Sequence, residues 1–187
     1  MRNLYLLLIL LIFASCNEDP LPKPKAYLSL NYPTTIYSTR VEMAPYSFEI
    51  SNQMAVKEQP NYWLQLNYPK LKASINITYR PIQNNLKELL IESEKLVYKH
   101  VVKAEEINPK NFENFDKQVF GSMHEISGNA ASQIQFHLTD STHHFIKGTL
   151  SFYAKPNYDS ILPAVDYIKK DIMRLIETLE WKYTPKN

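Results

Sequence analysis

The stretch that decides the fold is Tyr62–Tyr68 (YWLQLNY), followed across Pro69-Lys70 by Leu71–Tyr79 (LKASINITY). Apolar and polar side chains alternate in both runs. Successive side chains of a strand point to opposite faces, so a period of two marks strands with one buried face. The proline and lysine between them act as turn punctuation, and the two runs read as an antiparallel hairpin. Toward the N-terminus, Ala26–Tyr32 (AYLSLNY) alternates in the same way and stops at Pro33. Tyr46–Ile50 and Met54–Lys57 read as further short strands.

On the other side of the hairpin, Pro81 closes the strand region and the period changes. Leu86, Leu89, Leu90, Val97, Val101 and Ala104 recur at three- and four-residue spacing, with Lys87, Glu88, Glu92, Glu94, Lys95 and Lys99 mostly opposite. This predicts a helix that starts at Asn85, whose spacing to Glu88 offers a partial capping box, and that ends no later than Pro109. Strands are expected over Lys117–Ile126, Gln133–Leu138 and Phe145–Tyr153. The joining segments 127–131 and 139–143 are rich in turn formers. A final helix places Ile161, Val165, Ile168, Ile172, Leu175, Ile176 and Leu179 on one stripe, with Lys169, Lys170, Asp171, Arg174 and Glu177 mostly outside it. Asp159 or Ser160 is the expected cap, with Pro163 in the first turn. Strand blocks each followed by a helix give an α+β class: mostly antiparallel β-sheet packed by two main helices. No repeat or second linker interrupts residues 26–187, which read as a single domain.

The N-terminus, MRNLYLLLILLIFASC, has a basic start at Arg2, an apolar run from Leu4 to Ala14, and small residues before Cys16. That is the layout of a secretory signal, and the run is about half the roughly 20 residues needed to span a bilayer. Phe13-Ala14-Ser15-Cys16 resembles the lipobox of bacterial lipoproteins, with Phe13 bulkier than the usual aliphatic residue. Cys16 is the single cysteine of the chain, so it has no internal disulfide partner. Residues 1–15 therefore read as a lipoprotein signal peptide, and Cys16 as the lipid attachment site. Residues 16–25 follow as a tether. Pro20, Pro22 and Pro24 favour an extended polyproline path of about 3.1 Å per residue, enough to hold a domain on the order of 30 Å from the headgroups. A leader with no spacing role fits the same composition.

Cleavage removes only Arg2 from the 21 basic residues and leaves all 19 acidic ones. A net charge of +1 then argues against nucleic acid or an anionic membrane face as partner. Attachment falls to acyl chains, which contribute about 0.8 kcal/mol per buried CH₂. His100, His124, His137, His143 and His144 match no zinc spacing, and His143-His144 is expected in a solvated turn. There is no G-x-S-x-G elbow, and three glycines build no phosphate loop. Asp140 and Glu125 are examples of carboxylates that chance could bring together. No catalytic, cofactor-binding or metal-ligating residue is assigned, and no cofactor is implied. The aromatic content, 13 Tyr, 8 Phe and 2 Trp, is ordinary for strands, and surplus tyrosine on an open sheet face also suits a protein-binding patch.

Several of these segments resemble, in order, the gliding-motility lipoprotein family GldD. They include Pro22-Lys23-Pro24 before a Tyr-x-x-Leu strand, Tyr46–Glu49 (YSFE), Asn67–Ala73 (NYPKLKA), Thr78–Pro81 (TYRP) and Tyr98–Ala104 (YKHVVKA). The order continues through Gly128–Ser132 (GNAAS), Leu138–Ser141 (LTDS), Phe152–Asn157 (FYAKPN) and Leu179–Lys182 (LEWK). The resemblance implies a non-enzymatic cell-envelope lipoprotein required for gliding motility and associated with type IX secretion, working through contacts with other envelope proteins of that machinery. It implies anchorage by lipid on the periplasmic side or the outer surface, and a layered arrangement like the PsbP/Mog1 architecture. Only Cys16 transfers as a functional position. The alternative reading is an envelope module that binds a small ligand or peptide in a groove between sheet and helices, beside Tyr62, Trp63 or Phe136.

Overall fold

A computed structural model of the chain describes residues 32–43, 45–99, 103–153 and 157–182. The expected hairpin is its centre. Strands β4 (Trp63–Tyr68) and β5 (Ala73–Pro81) pair antiparallel, with Leu64 opposite Ile77, Leu66 opposite Ile75 and Tyr68 opposite Ala73. A short 3-10 turn at Pro69–Leu71 links them, and Lys72 takes the left-handed conformation at φ 49° that completes the reversal. Around this hairpin a seven-stranded antiparallel sheet runs in the order β3–β4–β5–β9–β8–β7–β6. The added strands are β3 (Ala55–Gln59), β6 (Ala104–Asn114), β7 (Val119–Gly128), β8 (Ile134–Thr139) and β9 (His144–Phe152). A second sheet of three strands, β1 (Thr39–Glu42), β2 (Tyr46–Ile50) and β10 (Glu180–Trp181), has β2 in its middle. The class is α+β, with two α-helices among the described residues, α1 (Leu86–Tyr98) and α2 (Tyr158–Thr178).

Strand periodicity decides which face is dry. Leu64, Leu66, Ile75, Ile77, Ile134, Phe136, Leu138, Ile146 and Leu150 are all buried on one face of the large sheet. They share a core with Tyr46, Phe48 and Ile50 of β2 and with Ile168, Ile172 and Leu175 of α2. Burying side chains of this size contributes about 1.5–3 kcal/mol each. Gly148 sits in this layer for a packing reason: a Cβ there would lie 2.0 Å from the Phe136 ring, which lies across it from the neighbouring strand. The opposite face is partly covered by α1. Val97 packs with Ile126 and Ala130, and Leu89 and Ser93 are buried.

Several expectations need correction. The first helix ends at Tyr98, short of the expected Pro109 limit; Ala104 opens β6, and Val101 lies outside the described residues. β6 is not among the expected strands; its surface is mostly exposed, and it accommodates Pro109 because it is an edge strand whose outer side needs no ladder donor. The capping box does not form: Asn85 Oδ1 accepts from the Gln83 amide instead. Neither Asp159 nor Ser160 caps α2. The Tyr158 amide is satisfied by Asn129 Oδ1 from the β7–β8 turn, and Pro163 lies beyond the first turn, inside the helix. The strand expected at Ala26–Tyr32 lies outside the described residues except for Tyr32, which is not in a strand.

Two groups of ionisable residues couple this packing to pH. Burial works to raise the Asp140 pKa, but amides of His144, His143 and Thr142 and the Thr142 hydroxyl outweigh it and hold the carboxyl at about 2. Burial, with the nearby His124, pushes His137 down to about 4, and burial also lowers His124 and His144. A histidine whose folded pKa is depressed binds its proton more readily in the unfolded chain, so stability falls as pH drops from 6.5 through 4, by about 3 kcal/mol for His137. Asp140 acts in the same direction at lower pH. Its stabilisation is present above the ordinary value of 3.8 and is lost as pH falls through about 2. Urea titrations of the lipid-free protein at pH 7 and pH 4.5 should show this drop, and His137→Gln should flatten it; an unchanged slope in the variant would place its origin elsewhere. Gly148→Ala, by overpacking against Phe136, should cost about 1–3 kcal/mol in the same titration at pH 7.

Candidate functional site

Cys16 and the proline-rich tether lie outside the described residues, so the site with visible geometry is the place where the chain enters the domain. Residues 32–38 have no regular secondary structure and belong to no sheet. They are strapped across α2 by tyrosines. The Tyr32 ring stacks on Tyr167 of α2 with centroids 4.7 Å apart. The Tyr167 hydroxyl donates to the Pro33 carbonyl at 3.0 Å and accepts from Thr35 Oγ1 at 3.2 Å. One turn further along α2, the Tyr37 hydroxyl donates to Asp171 Oδ1 at 2.6 Å, and the Arg174 guanidinium lies 5.5 Å from the Tyr37 ring centre. Asn52, just after β2, closes the strap: its amide donates to the Ile36 carbonyl at 3.0 Å and its Oδ1 accepts from the Ile36 amide at 3.3 Å.

Asp171 is the electrostatic centre. It is 1 % exposed, and its second oxygen accepts from the Tyr68 hydroxyl of β4 at 2.7 Å. Burial raises its pKa; donors from Tyr37, Tyr68 and Ser51 pull it back without cancelling the rise. The phenols are pushed the same way, chiefly by burial and then by the adjoining carboxylate, so Tyr37 and Tyr68 remain protonated donors. The helix-stripe reading set Asp171 mostly outside the apolar face, and the structure corrects this. The available signal was its spacing, three residues after Ile168 and four before Leu175, which puts it on the buried stripe.

Beside the strap is a cleft of about 280 Å³ lined by Pro33, Asn52, Tyr68, Lys70, Leu71 and Tyr167, among others. It lies at the β4–β5 turn, away from the expected position beside Tyr62, Trp63 or Phe136. Phe136 is buried against Gly148. Tyr62 stands edge-on to Tyr79, and Trp63 Nε1 donates to the Tyr79 carbonyl at 3.1 Å.

The other candidates are dispersed. His143 is exposed in the turn as expected, but His144 is the first residue of β9, buried and stacked on Trp181 at 5.2 Å, with Nδ1 2.9 Å from the Tyr79 hydroxyl. His100 lies outside the described residues. Asp140 and Glu125 are not brought together: Asp140 follows the end of β8 that pairs with Phe120, while Glu125 pairs with Ile134 at the other end and binds Lys169 at 2.8 Å. Among the described residues no group of three or more His, Cys, Asp or Glu side chains is placed to hold a metal ion, and no helix is long and apolar enough to cross a membrane. The strap joins residues 32–37 to α2 through stacked rings and a buried carboxylate. Tyr68→Phe, which removes one donor from the buried carboxylate, should cost about 1–3 kcal/mol in urea denaturation at pH 7. Because the folded pKa of Asp171 is raised, its own contribution runs opposite to that of the histidines: it is fully favourable below the ordinary carboxyl value and is lost as pH rises through the folded one. The deficit of Tyr68→Phe should accordingly shrink at pH 4, and an equal deficit at both pH values would show that the carboxylate is not its source.

No curated protein and no solved structure matches the chain. A family model described as gliding motility lipoprotein GldD matches residues 17–181, which include both sheets and both helices. With this match over most of its length, the chain belongs to the gliding motility lipoprotein GldD family.

Proposed function

We propose that the protein is cut before Cys16, carries acyl chains on that cysteine, and works in gliding as a non-enzymatic envelope component through contacts with other proteins. The carrying observation is the family match, which begins at Asn17, directly after the proposed lipid site, and runs to Trp181. The dispersal of the chemistry-bearing side chains described above supports a contact role over a catalytic one. Residues 16–25 then serve as the tether between lipid and domain, and the domain itself is the single α+β unit of residues 26–187. The machinery contacted is that of type IX secretion, on the periplasmic side or the outer surface of the envelope. More than one acyl chain gives stable anchorage where the near-neutral protein surface gives none.

The cleft beside the strap favours a second reading, a module that holds a small ligand or peptide against Tyr68 and Tyr167. It is compatible with the first, because a short segment of a partner is one such peptide.

Chromosomal Cys16→Ala tests the proposal. The expected result is protein that folds but moves from the membrane to the soluble fraction, together with loss of colony spreading and reduced export of secreted adhesins. Normal spreading with the variant in the soluble fraction would overturn the anchored mechanism. A clean deletion strain that spreads and secretes normally would overturn the role altogether.

A further inference from the structure

Two features meet at the entry strap. One is the cleft of about 280 Å³ walled by Pro33, Asn52, Tyr68, Leu71 and Tyr167. The other is the alternation of residues 26–32, AYLSLNY, which puts Ala26, Leu28, Leu30 and Tyr32 on one side of an extended chain and Tyr27, Ser29 and Asn31 on the other. Residues 26–31 lie outside the described residues. A chain side with two leucines needs an apolar cover.

Tyr32 connects the two features. It precedes Pro33, whose ring disfavours helical backbone at the preceding residue and favours an extended one. Its own ring stacks on Tyr167, a wall of the cleft, with centroids 4.7 Å apart. Side chains two residues apart on an extended chain point the same way at a spacing of about 6.6 Å. The side that sets Tyr32 on Tyr167 therefore carries Leu30 toward the same wall. We propose that residues 26–31 cover this cleft, with Leu30 seated in it and Leu28 at its mouth.

Size and chemistry fit that occupant. An apolar cavity of about 150 Å³ takes up a benzene molecule, so the cleft has room for one or two leucine side chains. Small-molecule pockets run to roughly 300–1,000 Å³, and the cleft stands at the low end of that range. Pro33, Leu71 and the Tyr167 ring supply apolar wall, while Asn52 and Gln53 add amides that can bond an extended backbone. Among the described lining residues Lys70 carries the one charge, and residues 26–31 bring no charged side chain to meet it. The Tyr32 hydroxyl oxygen is buried and has no hydrogen-bond partner among the described residues, and the incoming backbone offers both donors and acceptors at that junction.

Attachment favours this segment over any separate molecule. Leu30 is two residues from a ring already stacked on the cleft wall, and a short linker gives an effective concentration on the order of millimolar. The leucines must leave before a foreign peptide can enter. This occupant thus qualifies the peptide-binding reading of the cleft, and it depends on neither lipidation nor gliding.

The test puts the photo-crosslinking residue p-benzoylphenylalanine at position 30, and in a second protein at position 29, of the full chain in detergent. Irradiation and fragmentation mass spectrometry should find the probe at position 30 joined to Gln53, Leu71 or Tyr167 of the same chain, at least fivefold more than the probe at position 29. In urea titrations Leu30→Ser and Leu71→Ser should each lower the midpoint, and the double variant should lose less than the sum of the two. Additive losses would overturn the proposal, as would equal labelling from both probes or absence of crosslinks to the cleft. Crosslinks from position 30 to a second copy of the chain, or capture of a co-purified peptide by a probe at position 71, would give the cleft to another occupant and overturn it as well.

Discussion

Asp171 is a carboxylate on the inner stripe of α2, enclosed by apolar side chains, and such a group is tolerable only if donors surround it. Two of those donors are phenols from distant parts of the chain: Tyr37 of the entry segment and Tyr68 at the end of β4. The requirement fixes three things together. It holds the entry segment on α2, sets the depth of α2 over the sheet, and pins β4 in its register. A slip of β4 by one residue would turn Tyr68 to the outer face and leave the carboxylate short of a donor. Apolar contacts alone would tolerate more sliding of a helix over a sheet than this bond set does. The interaction therefore adds specificity to a core whose bulk stability comes from Leu, Ile and aromatic burial.

Legibility from sequence follows how many faces an element buries. The β4–β5 hairpin and strands β7 and β9 bury one side more regularly than the other, and β8, buried throughout, still alternates Ile134, Phe136 and Leu138 with polar Gln135, His137 and Thr139, so a period of two is visible in them. β6 buries little on either side, because it is the outer strand of its sheet, and its sequence AEEINPKNFEN shows no period. Its place is determined by pairing with β7, a long-range fact that local pattern does not carry. The same applies to β1 and β10, of four and two residues, which exist as strands only because β2 lies between them. The helical spacing runs past the end of α1 for the opposite reason: Ala104 continues it in sequence, and nothing local announces that Ala104 already opens β6.

The entry strap was hidden by chemistry rather than by geometry. Tyrosines on strands are ordinary, and an aspartate on a helix is assigned to water by default, so neither Tyr37 nor Asp171 drew notice alone. Their meaning lies in the pair. His144 illustrates the converse. As half of a His-His dipeptide it looked like a turn residue, yet Asp140 binds three successive backbone amides, those of Thr142, His143 and His144, and this tight turn delivers His144 to the start of β9 under Trp181. Asp140 shapes the turn that buries its neighbour. A motif reading of the histidines could not see this, because the residue that decides the outcome is a carboxylate outside the motif.

The strap also bears on how a lipid-held domain carries load. In the proposed arrangement, force along the tether reaches the described part of the domain through the segment that begins at Tyr32. An edge strand pulled from its end would open one hydrogen bond at a time, in a peeling mode. The segment from Tyr32 to Tyr37 is attached differently: ring stacking, a carbonyl bond, a phenol–carboxylate bond and the Asn52 closure join it to α2 and to the loop after β2 at spaced points. Behind it, α2 is joined to β2 through Arg174 and Glu49 at 2.7 Å and through Thr178 Oγ1, which accepts from the Glu49 amide at 2.9 Å. Tension reaching the strap is thus divided between two core elements before it meets any sheet edge. The outermost contact of the joint is the half-buried stacking of Tyr32 on Tyr167, and behind it Tyr37 bonds Asp171, which Tyr68 backs from β4.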